Sequence, residues 1–133
     1  MTRRLLKGAD HILTMDGREL TNADILIDGG VIAEVGTPEE GAAFRRVAET
    51  VRLTRYGCDC YAYALLAAGQ IDLVIEAGLQ PYDIQAPIAV IEAAGGIVTD
   101  WSGGPVMDGG RAVAAANPQV HEAALRALAW TGA

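Results

Sequence analysis

The stretch that decides the fold runs from Arg55 to Asp83, RYGCDCYAYALLAAGQIDLVIEAGLQPYD. Tyr56-Gly57-Cys58-Asp59-Cys60 opens an almost wholly apolar run, Cys60 to Ala68, that reads as a buried helix stopped by Gly69. Ile71 to Glu76 follows as a buried strand of the kind found in parallel sheets. Gly78 to Pro81 reads as a loop, and Asp83 as the N-cap of a helix starting at Ile84, with Pro87 in its first turn. The polar groups capable of chemistry thus gather at helix and strand ends. Open α/β layers place ligands there, because free backbone N–H groups and short loops converge. Cys58, Asp59, Glu76 and Asp83 are expected to face one pocket.

Outward from this stretch the alternation continues. Ile84, Ile88 and Ile91 recur at helical spacing, Gly95-Gly96 ends that helix, and Ile97-Val98-Thr99 reads as a strand. Trp101 to Pro105 is a turn, Ala112 to Ala115 a strand, and Asn117-Pro118 an N-cap followed by proline at the first helical position. The last helix is expected to reach about Trp130. Val120, Ala124 and Leu128 share one of its faces, and Glu122 and Arg126 pair on another. Trp101 and Trp130 read as cover over a small core.

Upstream the pattern is different. Arg4 to Ala9, His11 to Thr14, Ala23 to Ile27 and Val31 to Val35 read as short strands, with turns at Met15-Asp16-Gly17-Arg18 and Asp28-Gly29-Gly30. Residues 37–43 break the composition and read as a linker or helix entry. Phe44 to Thr50 reads as a short helix and Val51 to Thr54 as a strand. The fold class is α/β: a short β-meander over 1–36 joined to an α/β segment over 44–133, with a mixed sheet and about three helices, merged into one domain.

Composition limits the function. With 133 residues, 51% of them hydrophobic, the chain can bury one core. No apolar run is long enough to cross a bilayer, and no apolar signal segment follows Met1-Thr2-Arg3-Arg4, so a cytoplasmic location and no membrane partner are expected. A net charge of −7 without a basic cluster argues against nucleic acid. Cys58 and Cys60 are too close for an ordinary disulfide and read as reduced thiols. With His11 and His121 as the two histidines and Ser102 as the one serine, there is no zinc-protease helix, serine elbow or phosphate loop.

Two resemblances add to this. LLKGADHILTMDGRELTNADILIDGGVIAEVG, residues 5–36, resembles the N-terminal β-sandwich edge of amidohydrolase-superfamily enzymes. The His-x-His metal motif of that family is absent, so the resemblance carries a structural element and no metal role for His11. Residues 44–130 resemble the C-terminal half of inositol-monophosphatase-type phosphatases, nearest the histidinol-phosphate phosphatase branch. PYDIQA is similar to that family's Trp-Asp-x-Ala-Ala signature, with Tyr82 in place of the tryptophan. Together the two resemblances imply a chimera.

The second resemblance implies roles. Asp83 would be a ligand of a catalytic divalent metal, Mg²⁺, Mn²⁺ or Zn²⁺. Gly57, Cys58 and Asp59 would touch substrate, and Glu76 would meet a substrate hydroxyl or amine. The family's first-half ligands, a Glu and an Asp-Pro-x-Asp-Gly-Thr loop, do not occur in the chain. A rebuilt site is therefore expected around Asp83, with Cys58 and Asp59 as added metal ligands and Cys58 a second catalytic group. A thiol at a helix N-terminus suits either role, and a small packed side chain is the alternative. Cys60 reads as a core residue. The favoured function is a metal-dependent, promiscuous phosphoester hydrolase acting on a small phosphorylated or anionic substrate. The alternatives are a non-catalytic oligomeric binding module and a Cys58-nucleophile hydrolase. Unpaired strand edges and incomplete apolar faces imply a homo-oligomer, most simply a dimer.

Overall fold

The computed structural model describes residues 3–13 and 19–129. Two compact units divide the chain, residues 1–45 and 46–133.

The first unit is built on an antiparallel meander of β1 (Arg3–Leu13), β2 (Glu19–Asp28) and β3 (Val31–Gly36), in the order β1-β2-β3. The sequence suggests two strands where β1 is one. Gly8, at φ 63°, marks the irregularity between Leu6 and Ala9 that lets the strand bend without ending. Asp24 secures the bulge by accepting from Gly8 N at 2.8 Å. Gly29 and Gly30 both hold positive φ, as the tight β2–β3 hairpin requires. The turn expected at residues 15–18 lies outside the described residues.

Helix α1 (Pro38–Ala48) decides between the two readings of 37–43: the segment is the entry to a helix and not a linker. A capping box explains it. Glu40 N donates to Thr37 Oγ1 at 3.2 Å, and Glu40 Oε2 accepts from Thr37 N at 3.3 Å. Farther along α1, in the second unit, Arg46 donates from Nε and Nη2 to the carbonyls of Ala127 and Leu128. The segment Val51–Thr54 forms no strand.

The second unit holds α2 (Cys60–Ala67), β4 (Leu73–Leu79), α3 (Pro81–Ala93), β5 (Ile97–Thr99), β6 (Gly110–Ala115) and α4 (Pro118–Ala129). Its sheet has the order β4-β6-β5 and is antiparallel throughout, not mixed. The apolar run Leu73-Val74-Ile75 does not encode strand direction. The unit's core gathers Tyr63, Leu66, Val74, Ile84, Ile91, Val98 and Val106 with the alanines of β6. Those alanines are completely buried, which lets flanking layers approach closely. Helix α4 begins at the expected cap, Val120 N donating to Asn117 Oδ1 at 2.9 Å. Ala124 and Leu128 are buried, and Arg126 meets Glu122 at 3.6 Å on the exposed side. Trp130 lies outside the described residues.

Helix α3 departs from its expected start. Pro81 is its first residue and Gln80 its N-cap, so Asp83 stands at the third helical position and Pro87 lies inside the helix. Proline suits the first position because the N–H it lacks has no helical acceptor there.

A candidate active site at the starts of α2 and α3

Tyr56 to Asp59 carries the chain into α2 through two unusual backbone positions. Gly57 has φ +74°, with open space where a Cβ would stand. Asp59, the N-cap, has φ 43° and ψ −132°, and is the one non-glycine with positive φ among the described residues. Its carboxylate makes no cap hydrogen bond. An N-cap aspartate normally spends its oxygens on the first turn of its own helix. Here they are left for something else.

Glu76 sits within β4 rather than at its end. It pairs with Ala112 and is the last regular position before the irregularity that precedes Leu79. A bulge at such a place redirects side chains. Glu76 Oε2 is buried and has no hydrogen-bond partner. Asp83 is half-buried, and its Oδ2 accepts from Gln80 N at 2.8 Å. Capping therefore occupies one of its oxygens.

Electrostatics link these three carboxylates. Burial is the largest cause raising the Glu76 carboxyl above its ordinary range; the Tyr63 hydroxyl opposes the rise, and the charges of Asp59 and Asp83 add to it. The Tyr63 phenol is itself pushed far up, first by burial, then by Glu76, then by Asp83 and Asp59. The charges of Asp59 and Asp83 are thus felt at Glu76 and at Tyr63, a tyrosine that sequence reasoning passes over as core. One signal was present. Tyr63 follows Asp59 by four residues, one turn along the same helix.

The thiols behave differently. Cys58 and Cys60 are free and exposed. Exposure of Cys60 overturns its expected place in the core: the helix turns its first residues outward and buries only Tyr63 and Leu66.

Neither histidine joins the site. His11 Nδ1 pairs with Glu19 Oε1 across the β1–β2 hairpin, on an exposed face. His121 is buried, and its Nε2 meets Thr99 Oγ1 at 2.8 Å. That hydroxyl also donates to Asp100 O. Trp101 covers β6, donating from Nε1 to Ala112 O, with Arg111 5.6 Å above its ring.

The loop before β6 braces the site from behind. A Cβ on Gly109 would stand 2.4 Å from Leu79 O, and Gln85 Nε2 donates to Met107 O at 3.2 Å. The β4–α3 junction that carries Asp83 is therefore held by direct backbone approach.

This arrangement has relatives. A model of the inositol monophosphatase family matches residues 6–132, nearly the whole chain. The chain belongs to the inositol monophosphatase family. The bifunctional phosphatase IMPL2, chloroplastic, of Arabidopsis thaliana is 48% identical over 101 residues, which cover 69% of this chain and 29% of that protein. Inositol-1-monophosphatase ImpA of Mycolicibacterium smegmatis is 37% identical over 91 residues, 68% of this chain and 32% of its own. Among solved structures, an inositol monophosphatase from Zymomonas mobilis superposes with a TM-score of 0.66 at 38% identity, over 69% of this chain and 37% of that one. This member of the inositol monophosphatase family thus spans about a third of the length of the relatives it matches. The family match runs through the N-terminal strands, and the comparisons give no support to an amidohydrolase origin for them. Among the described residues, no three His, Cys, Asp or Glu side chains stand close enough to hold a metal ion, and no helix is long and apolar enough to cross a membrane.

Proposed function

We propose that this chain forms the substrate-facing side of a phosphatase site for small phosphate monoesters. What supports this is the buried, unpartnered Glu76 Oε2, a carboxyl that also feels the charges of Asp59 and Asp83, in a chain of this family. Similarity to a bifunctional phosphatase and to an inositol-1-monophosphatase supports a small phosphorylated substrate.

The residues divide the work by their chemistry. Gly57 leaves open space at the mouth of α2, so the backbone meets substrate without an intervening side chain. Asp59 and Glu76 offer acceptors to a hydroxyl or amine on the part of the substrate remote from phosphate. Three carboxylates repel the phosphate itself, so they orient the ester with its anionic end turned away from Glu76. Asp83 is the carboxylate available to a divalent cation such as Mg²⁺, Mn²⁺ or Zn²⁺. It supplies one ligand where such an ion needs several. The described residues do not by themselves make a metal site. Further ligands would come from outside the described residues. Cys58, exposed and apart from any base, fits an accessory role at the rim better than that of a nucleophile.

The test is hydrolysis of a panel of small phosphate monoesters by the purified chain with Mg²⁺, Mn²⁺ or Zn²⁺. Asp83→Asn should abolish turnover with the fold intact, whereas Cys58→Ala should retain it. Absence of turnover with every ion would leave a non-catalytic binding module.

A further inference from the structure

Tyr63 is 2% exposed and packs in the core of the second unit. A phenylalanine would serve that packing, yet the residue carries a hydroxyl. Tyr63 Oη is buried without a hydrogen-bond partner, and so is Glu76 Oε2. Two orphaned polar atoms in one small region are costly unless they act on one another or on a ligand. The groups whose charges reach the Tyr63 hydroxyl are Glu76, Asp83 and Asp59, all carboxyls and all acceptors when ionised. Tyr63 brings the donor to this group of acceptors. Core packing fixes the Tyr63 ring, while the Glu76 side chain has rotatable bonds.

We propose that Tyr63 is a positioning residue for Glu76: its hydroxyl donates to one carboxylate oxygen and turns the other toward a hydroxyl or amine of the substrate. The pairing itself follows from two buried, unpartnered oxygens and from the influence each group has on the other's proton. Its use in substrate binding rests on the phosphatase reading above. Tyr63 touches no substrate and acts through Glu76.

The full chain, labelled with ¹³Cδ-glutamate, reads the pair directly by carboxyl NMR; the Glu76 resonance is the one lost in Glu76→Gln. Tyr63→Phe keeps the ring and removes the donor, and should raise the Glu76 titration midpoint by roughly one pH unit. Replacing tyrosine by 3-fluorotyrosine makes the phenol a stronger donor and should lower that midpoint. Tyr56, Tyr61 and Tyr82 are exposed, so Tyr63 is the buried phenol this exchange alters. Unchanged midpoints in both proteins would overturn the proposal. Should Tyr63→Phe fail to fold, the fluorotyrosine arm decides alone. Where hydrolysis is measured, Tyr63→Phe should raise KM about tenfold with kcat nearly unchanged. An unmoved KM beside shifted midpoints would overturn the substrate role. A chain with both shifts and no turnover would instead overturn the phosphatase reading and leave the pair standing.

Discussion

At the scale of the residue, Glu76 sets a conflict between fold and site. Its carboxyl is held above the ordinary range chiefly by burial. Such a group binds its proton more tightly when folded than when unfolded. Its contribution is most favourable in acid and is lost as pH rises through the folded value. Glu76→Gln removes that penalty. The variant should match the wild type below pH ~4, near the unfolded carboxyl value, and gain in relative stability as pH rises toward neutrality. Denaturant titrations at a series of pH values check this; a constant difference across the range would contradict it. The same substitution should weaken substrate binding.

Residues also differed in how openly the sequence announced them. Asp83 was legible through its motif, although its place in the helix was not. The Pro81 that starts α3 lies two residues earlier, and proline at a first helical position is a stronger start signal than a later aspartate. Tyr63 was illegible as a functional group because its partner, Glu76, lies on another element. Only packing α2 against β4 puts hydroxyl and carboxyl face to face.

At the scale of the element, the glycines around the site divide into two kinds. Gly109 has φ +83°, and a Cβ there would meet Leu79 O at 2.4 Å. Gly69, at φ +73°, has open space around it. Gly69→Ala should cost about 1 kcal/mol, the penalty of a left-handed backbone alone. Gly109→Ala should cost about 3 kcal/mol or more, because the backbone of the β4–α3 junction must also move. It should disturb Asp83 as well, visible as altered amide shifts through α3. Asn117→Ala, which removes the α4 cap, should cost about 1 kcal/mol. Thermal unfolding of the three variants side by side ranks them. The starts of α2 and α4 were legible because capping is local chemistry, whereas the capping boxes that open α1 and α3 were passed over. Strand direction was not legible, since an apolar strand covered on both faces looks alike in either orientation.

At the scale of the whole molecule, much apolar surface remains outside. Leu13, Leu53, Tyr82 and Tyr61 are each more than 60% exposed, and Val90 is 57% exposed. Surface of this kind suits association between copies. Sedimentation at micromolar concentration should give twice the 13.9 kDa of a single chain; a single-chain mass would refute the dimer. If the partner completes the ion site, dilution should abolish turnover and oligomer together.

Asp59, finally, stands where an evolving chain has a choice to make. An L-residue at φ 43° and ψ −132° stores about 1–3 kcal/mol of backbone strain, and glycine would release it. Asp59→Gly should therefore raise the melting temperature while stripping a carboxylate from the cluster. A screen that rewards heat resistance alone would find this position early and deliver a sturdier, emptier protein. Selection for turnover would keep the aspartate and accept the cooler melting point. The position thus offers a way to ask which of the two has shaped the chain.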